Sequence, residues 1–159
     1  MFQEIVNFYV NRGSKVFVCM LDCSKAFDRV SYEKLFKVLS NRGMCPMQLR
    51  MLWSLYEGSK SCVKWEEFKS DILTMSNRVK QGGVSSPNCF SVYIDKLFDG
   101  LRNAGRGCYL NGKYTGILGY ADDIALLATS KTELEAMLKI CDYFANSHDL
   151  LLMPQNQPF

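Results

Sequence analysis

Histidine is almost missing from this chain: His148 is the only one in 159 residues. Zinc modules and histidine-rich hydrolase sites need imidazole ligands at set spacings, so the sequence argues against both. The seven cysteines (19, 23, 45, 62, 89, 108 and 141) are odd in number and contain no CxxC pair. They support neither a zinc ribbon nor a disulfide framework, and they read as reduced thiols packed on apolar faces in an intracellular protein. No apolar run approaches the about 20 residues of a membrane span. The first such run, Val16 to Leu21, is too short and too late for a signal peptide. The expectation is an intracellular chain without a membrane segment, with nucleus and cytoplasm not distinguished. Repeats and low-complexity tracts are also absent.

What is present is an ordinary globular composition, 48% apolar and 22% charged, long enough for one domain with a sizeable core. The net charge of +3 is compatible with a nucleic-acid partner without requiring one. Val16 to Leu21 reads as a buried strand ending at Asp22. Ser31 can cap a helix that carries Leu35, Phe36, Val38 and Leu39 and stops at Arg42-Gly43. Pro46 suits the first turn of a second helix with Leu49, Leu52, Trp53 and Tyr56 at helical spacing. Ser61 to Trp65 and Ile72 to Val79 read as strands, with the turn in the charged stretch between them. Ser86-Pro87 opens a helix whose apolar face runs from Phe90 to Leu101 and which ends around Ala104-Gly105. Asn111-Gly112 marks a hairpin between Cys108–Leu110 and Tyr114–Tyr120. Ile124 to Ala128 is another buried strand. Ser130 and Glu133 form a capping box ahead of a helix, and Leu150 to Met153 is the last strand candidate. This mixed order predicts an α+β fold, an antiparallel sheet with helices packed on one face.

The stretch GYADDIALL sets Asp122 and Asp123 side by side within an apolar run. Adjacent carboxylates repel, and hard oxygen donors suit Mg²⁺. Asp22 also terminates a buried strand, so it is the best candidate for a third carboxylate, brought in by tertiary structure. An acidic dipeptide taken alone is more often a solvated turn, since Asp is a common turn former. What separates the two readings is the combination: two apolar strands each ending in Asp, with a Gly-rich loop and Ser-Pro helix start between them.

That combination resembles the three core motifs of reverse transcriptases: Asp22-x-x-x-Ala26-Phe27-Asp28, then Gln81-Gly82-x-x-x-Ser86-Pro87, then Tyr120-Ala121-Asp122-Asp123. The surrounding wording (LDCSKAFDRV, VKQGGVSSP, NCFSVYIDKLF, LGYADDIALLA) is most similar to the enzymes of non-LTR, LINE-type retrotransposons, over about residues 3 to 153. The resemblance implies a polymerase palm with a ferredoxin-like (RRM-like) core, and an RNA-directed DNA polymerase working on an RNA template, a DNA primer and deoxynucleoside triphosphates. It implies Asp22, Asp122 and Asp123 as catalytic and metal-binding residues for two Mg²⁺ (or Mn²⁺) ions, about 3.5–4 Å apart in such sites. Phe27 would lie under the nucleotide sugar and exclude a 2′-hydroxyl, although Ala26-Phe27 also suits a core. Gln81 and Gly82, with Gly83, would form the loop beside the nucleotide, and Tyr120 would pack near the site. Arg78 and Lys80 are candidate phosphate contacts, Lys25 is a weaker one, and Asp28 suits a structural role.

Two departures from the family pattern stand out. The chain, read as a single palm domain over residues 1–159, lacks most of the fingers and the thumb. The family's Asn-x-x-Lys-Thr pattern is replaced by Met153-Pro154-Gln155-Asn156-Gln157, which puts Asn156 in the lysine's place. The competing expectation is therefore an inactive retrotransposon-derived remnant or nucleic-acid-binding module that keeps the fold. The chain alone is expected to extend a primer weakly or not at all. A two-metal nuclease or phosphatase is a weaker third reading.

Overall fold

The computed structural model describes residues 1–23, 30–57, 60–74, 86–120 and 123–154. In chain order the elements are α1 (Phe2–Val10), β1 (Phe17–Cys23), α2 (Tyr32–Asn41), α3 (Pro46–Tyr56), β2 (Lys60–Ser61), β3 (Lys64–Trp65), β4 (Phe68–Lys69), β5 (Leu73–Thr74), α4 (Ser86–Ala104), β6 (Tyr109–Leu110), β7 (Lys113–Tyr114), β8 (Ile117–Tyr120), β9 (Asp123–Ala128), α5 (Lys131–His148) and β10 (Leu152–Pro154). They fall into two compact units, residues up to 23 with those from 94 onward, and residues 30–93.

The first unit is built on a four-stranded antiparallel sheet of order β10-β1-β9-β8. Side chains alternate along each strand, and both faces are used. Leu21, Ile124, Leu126 and Ala128 are buried on one face, where α5 packs against β1 and β9 with Met137, Cys141 and Phe144 buried in it. Ala125 and Leu127 point the other way. They form a core with Ile5 and Cys108, joined by Phe2, Val6, Tyr9, Val16, Val18, Met20, Leu110 and Leu118. The helix on this second face, α1, was not read from the sequence, although Phe2, Ile5, Val6 and Tyr9 stand at i, i+3, i+4 and i+7. Tyr9 pins it: its hydroxyl donates to the Tyr109 carbonyl and accepts from the Tyr109 N–H, both at 2.8 Å.

Local signals place the rest of this unit. The expected hairpin turn is present, with Asn111 at φ 50° and Gly112 at φ 77°. The Ser130 hydroxyl accepts from the Glu133 N–H at 3.2 Å. The Glu133 carboxylate reaches back to the hydroxyl and N–H of Thr129, one residue before the cap. β1 runs past its expected end and includes Asp22 and Cys23. β10 is displaced by two residues from its expected start, to Leu152.

In the second unit, α2 follows Ser31, which makes no side-chain cap hydrogen bond, and Pro46 occupies the first turn of α3. Phe36 and Trp53 join the two helices edge-on at 5.0 Å, and Tyr32 lies 4.9 Å from Tyr56. The turn between the next strands falls in the charged stretch as expected, at Glu66-Glu67. Pairing resumes already at Phe68, however, with Trp65 opposite Phe68 and Lys64 opposite Lys69. Residues 75–79 of the expected second strand lie outside the described residues. All seven cysteines are free thiols, and Cys23, Cys89, Cys108 and Cys141 are buried. Among the described residues no helix is long and apolar enough to cross a membrane.

Gly107 has φ 116°, and a Cβ there would meet the Leu127 carbonyl oxygen at 2.8 Å and the Gly116 Cα at 3.0 Å. Backbone cannot yield cheaply, so Gly107→Ala is expected to lower the urea-measured unfolding free energy by about 2 kcal/mol or more. Gly13→Ala, at φ 77° in open space, should cost about 1 kcal/mol. Burial, with Glu133 nearby, pushes the Cys108 thiol from 9.0 to about 11, and burial beside Asp142 pushes Cys141 to about 12. Below pH 9 both folded and unfolded thiols keep their protons. Between pH 9 and 12 the unfolded chain releases protons that the folded chain retains, so stability should fall across that window. Iodoacetamide at pH 8 should label exposed Cys45 and Cys62 while sparing Cys108 and Cys141 until denaturant is added.

Candidate active site

The β1–β9 ladder sets the geometry of the acidic site. Its register runs from Phe17 opposite Ala128, through Val18–Leu127, Cys19–Leu126, Met20–Ala125 and Leu21–Ile124, to Asp22 opposite Asp123. Five apolar pairs thus lead to one acidic pair at the end of the ladder. Opposed residues of an antiparallel pair share a face, with Cβ atoms about 4.5–5.5 Å apart. The neighbouring ladders extend the row, since Tyr120 stands opposite Asp123 and Met153 opposite Asp22. Tyr120, Asp123, Asp22 and Met153 therefore form one line across all four strands.

This line lies on the face that α1 covers further along. Met20 and Ala125, one step back on that face, belong to the core with Ile5, whereas Asp22 is half-buried and Asp123 exposed. Tyr120 is 84% exposed and Met153 46% exposed. The acids thus stand where apolar cover ends and water begins. Like charges directly opposite are destabilising, and a divalent cation between acceptor-only oxygens relieves this cost. Among the described residues no group of three or more His, Cys, Asp or Glu side chains is gathered for a metal. The described pair supplies two carboxylates of the hard-oxygen type that Mg²⁺ takes.

Asp22 and Asp123 stand opposite each other at the end of the ladder, whereas the expected convergence of Asp22 with Asp122 falls on a residue outside the described ones. Asp122 lies outside the described residues, as do Phe27, Arg78, Lys80, Gln81 and Gly82, together with Lys25, Asp28, Gly83 and Asn156. Two contributors were not read from the sequence. Met153 completes the row, and Gly119 admits α4 to the sheet. A Cβ on Gly119 would lie 2.4 Å from Phe98 Cζ and 2.8 Å from Cε2, so the ring tip occupies the space a side chain would fill. A glycine inside a strand pattern is the signal that marked this close approach. Gly119 pairs with Ile124, one step from the Tyr120–Asp123 pair, so the fit of Phe98 sets the depth of the acidic end.

An antiparallel α+β sheet with paired acids at one end of its central strands has the plan of a polymerase palm. A family model for reverse transcriptase (RNA-dependent DNA polymerase) matches residues 2–155, and the chain belongs to that family. The chain is 27% identical over 142 residues to a retrovirus-related Pol polyprotein from type-1 retrotransposable element R2 of Nasonia vitripennis, covering 88% of this chain and 14% of that protein. It is 30% identical over 125 residues to an RNA-directed DNA polymerase from mobile element jockey of Drosophila funebris, covering 79% of this chain and 13% of that one. The resemblance to non-LTR, LINE-type enzymes is borne out by these relatives, of whose length the chain spans about one-eighth. Among solved structures, telomerase from Candida albicans, with a fragment of telomeric RNA, matches 99% of this chain and 30% of its own with a TM-score of 0.64 at 12% identity. Apo telomerase from Candida tropicalis matches 99% of this chain and 34% of its own with a TM-score of 0.62 at 14% identity. At such identities the likeness is one of fold.

The Gly119–Phe98 contact generates a prediction. Gly119→Ala should destabilise the chain by about 1–3 kcal/mol, the usual cost of overpacking. Phe98→Leu in the same chain should recover part of the loss by withdrawing the ring tip. A double-mutant cycle in urea should give a coupling of about 1 kcal/mol; additive effects would mean that the ring swings aside at no cost.

Proposed function

We propose that the chain, over residues 1–159, is a polymerase palm that binds divalent cations through Asp22, Asp123 and Asp122 and serves RNA-templated DNA synthesis. The observation that carries this reading is the Asp22–Asp123 pair at the end of the central ladder, in a chain of the reverse transcriptase family. Bound there, Mg²⁺ or Mn²⁺ would lower the pKa of a primer 3′-hydroxyl and neutralise charge on the departing pyrophosphate. The residues of the chain hold and orient. Asp22 and Asp123 supply fixed carboxylate oxygens on rigid paired strands, so little reorganisation is needed at the moment of reaction. Tyr120 offers an exposed ring beside Asp123. In the same reading Phe27 excludes a 2′-hydroxyl by filling its space, and Gln81 and Gly82 flank the nucleotide and the templating base. Arg78 and Lys80 meet phosphate as point charges or forks. RNA template, DNA primer and deoxynucleoside triphosphates are the partners this assigns.

A second reading, a nucleic-acid-binding module with the palm fold and no catalysis, is favoured by Asn156 standing where the family pattern has lysine. Amide for ammonium removes both a point charge and a proton donor.

Metal titration and primer extension together test these readings. Mn²⁺ at about a hundred times its Kd should stabilise the folded chain by about 2.7 kcal/mol, raising Tm by about 5–10 °C for this length. Asp22→Asn and Asp123→Asn should each remove that response. Equal Mn²⁺ shifts in wild type and both variants would overturn the metal assignment. With fingers and thumb segments supplied, extension of a DNA primer on an RNA template, lost in Asp22→Asn, marks the catalytic reading; metal-dependent template binding without extension under the same conditions marks the second.

A further inference from the structure

We propose that Met153 is a ligand-contacting member of this site, an apolar wall beside Asp22 that takes the sugar or base face of a nucleotide. The inference rests on the palm reading above and adds a residue that the motifs do not contain. Met153 stands opposite Asp22 in the β1–β10 ladder, as Asp123 does in the β1–β9 ladder. Neighbouring strands lie about 4.8 Å apart, so its Cα is one strand from Asp22 and two from Asp123, on the same face. Its β10 neighbours, Leu152 and Pro154, alternate to the opposite face, where Pro154 pairs with Leu21.

The row reads apolar, acid, acid, apolar, and both ends are open to water: Tyr120 at one side and Met153, 46% exposed, at the other. The second core stops at Met20, one step short of this row, so nothing in that core calls for an apolar side chain at Met153. A metal-bound nucleotide has the complementary layout, with phosphates at the cation and sugar and base extending to the sides. An unbranched, polarisable thioether adapts to such irregular surfaces. The family's Asn-x-x-Lys-Thr pattern places asparagine where this chain has Met153, so the apolar wall belongs to this chain's version of the site.

Two sources share that chemistry, the incoming nucleotide and the terminal nucleotide of a primer. Methyl-¹³C methionine labelling separates them, with the Met153 signal assigned by its loss in Met153→Leu. Mn²⁺ alone should broaden the Met153 methyl, and Asp22→Asn should abolish the broadening. With Mg²⁺ present, either dTTP or a primer–template duplex should then shift the Met153 resonance, and whichever does so names the source. Met153→Ala should weaken that ligand by about threefold to tenfold with the Mn²⁺ response of Tm retained, and Met153→Leu should restore binding. Mn²⁺ broadening with no movement of Met153 by either ligand would overturn this inference and leave the metal reading standing. Absence of Mn²⁺ broadening would overturn both.

Discussion

Two carboxylates held face to face, Asp22 and Asp123, are the constraint around which the sheet is organised. Like charges directly opposite on neighbouring strands destabilise a ladder. The five apolar pairs behind them, from Phe17–Ala128 to Leu21–Ile124, hold the pair in place against this force. Slippage is not an available relief. Moving β1 by one residue would turn Leu21 outward and Asp22 into the core under α5, exchanging a modest repulsion for a buried charge.

The two faces of the sheet handle the acidic end differently. On one face the cover is continuous: Leu21 and Ile124 are buried, and Phe98 presses into the space left by Gly119. This face fixes the depth of the hairpin end. On the other, α1 covers Met20 and Ala125 but not the row beyond them. Tyr9 limits how far α1 can shift, since its hydroxyl is bound on both sides to the backbone of Tyr109. A rigid back and an open front are what the proposed metal site would require, because its ligands must be preorganised while the ion and its partner still enter.

Much of this was legible in the sequence because local chemistry and tertiary packing agree. Ile124 to Ala128, the Asn111-Gly112 turn, the Ser130–Glu133 cap and Pro46 are each satisfied where they were expected, and the strand expected over Val16 to Leu21 is present from Phe17, although only Leu21 of that run is buried and the rest is half-buried. The boundaries moved where packing overrode local pattern. Asp22 reads as a strand terminator by polarity, yet β1 continues through it because Asp123 and Met153 supply ladder partners on both sides. The Glu66-Glu67 turn was readable from charge, but not the early start of β4, because Phe68 pairs across to Trp65 with both rings in water, 75% and 78% exposed. Helix α1 carries its pattern in Phe2, Ile5, Val6 and Tyr9, at helical spacing. Met153 could not be found from sequence at all, since only strand register says which residue stands beside Asp22.

Register also orders the parts of the site by their dependence on the fold. Residues 120 and 123 are joined by a short connection, so the Tyr120–Asp123 side forms with little loop-closure entropy. Asp22 joins through the long β1–β9 ladder, whose apolar pairs compensate the distant closure. Met153 comes last, on a three-residue edge strand that pairs with β1 alone. Short edge strands have few hydrogen bonds and little buried surface to resist opening, so local unfolding begins there. The acid pair can therefore persist when β10 detaches, whereas the apolar wall cannot. In the proposed reading, metal binding would belong to the robust centre of the sheet and nucleotide contact at Met153 to its short edge strand.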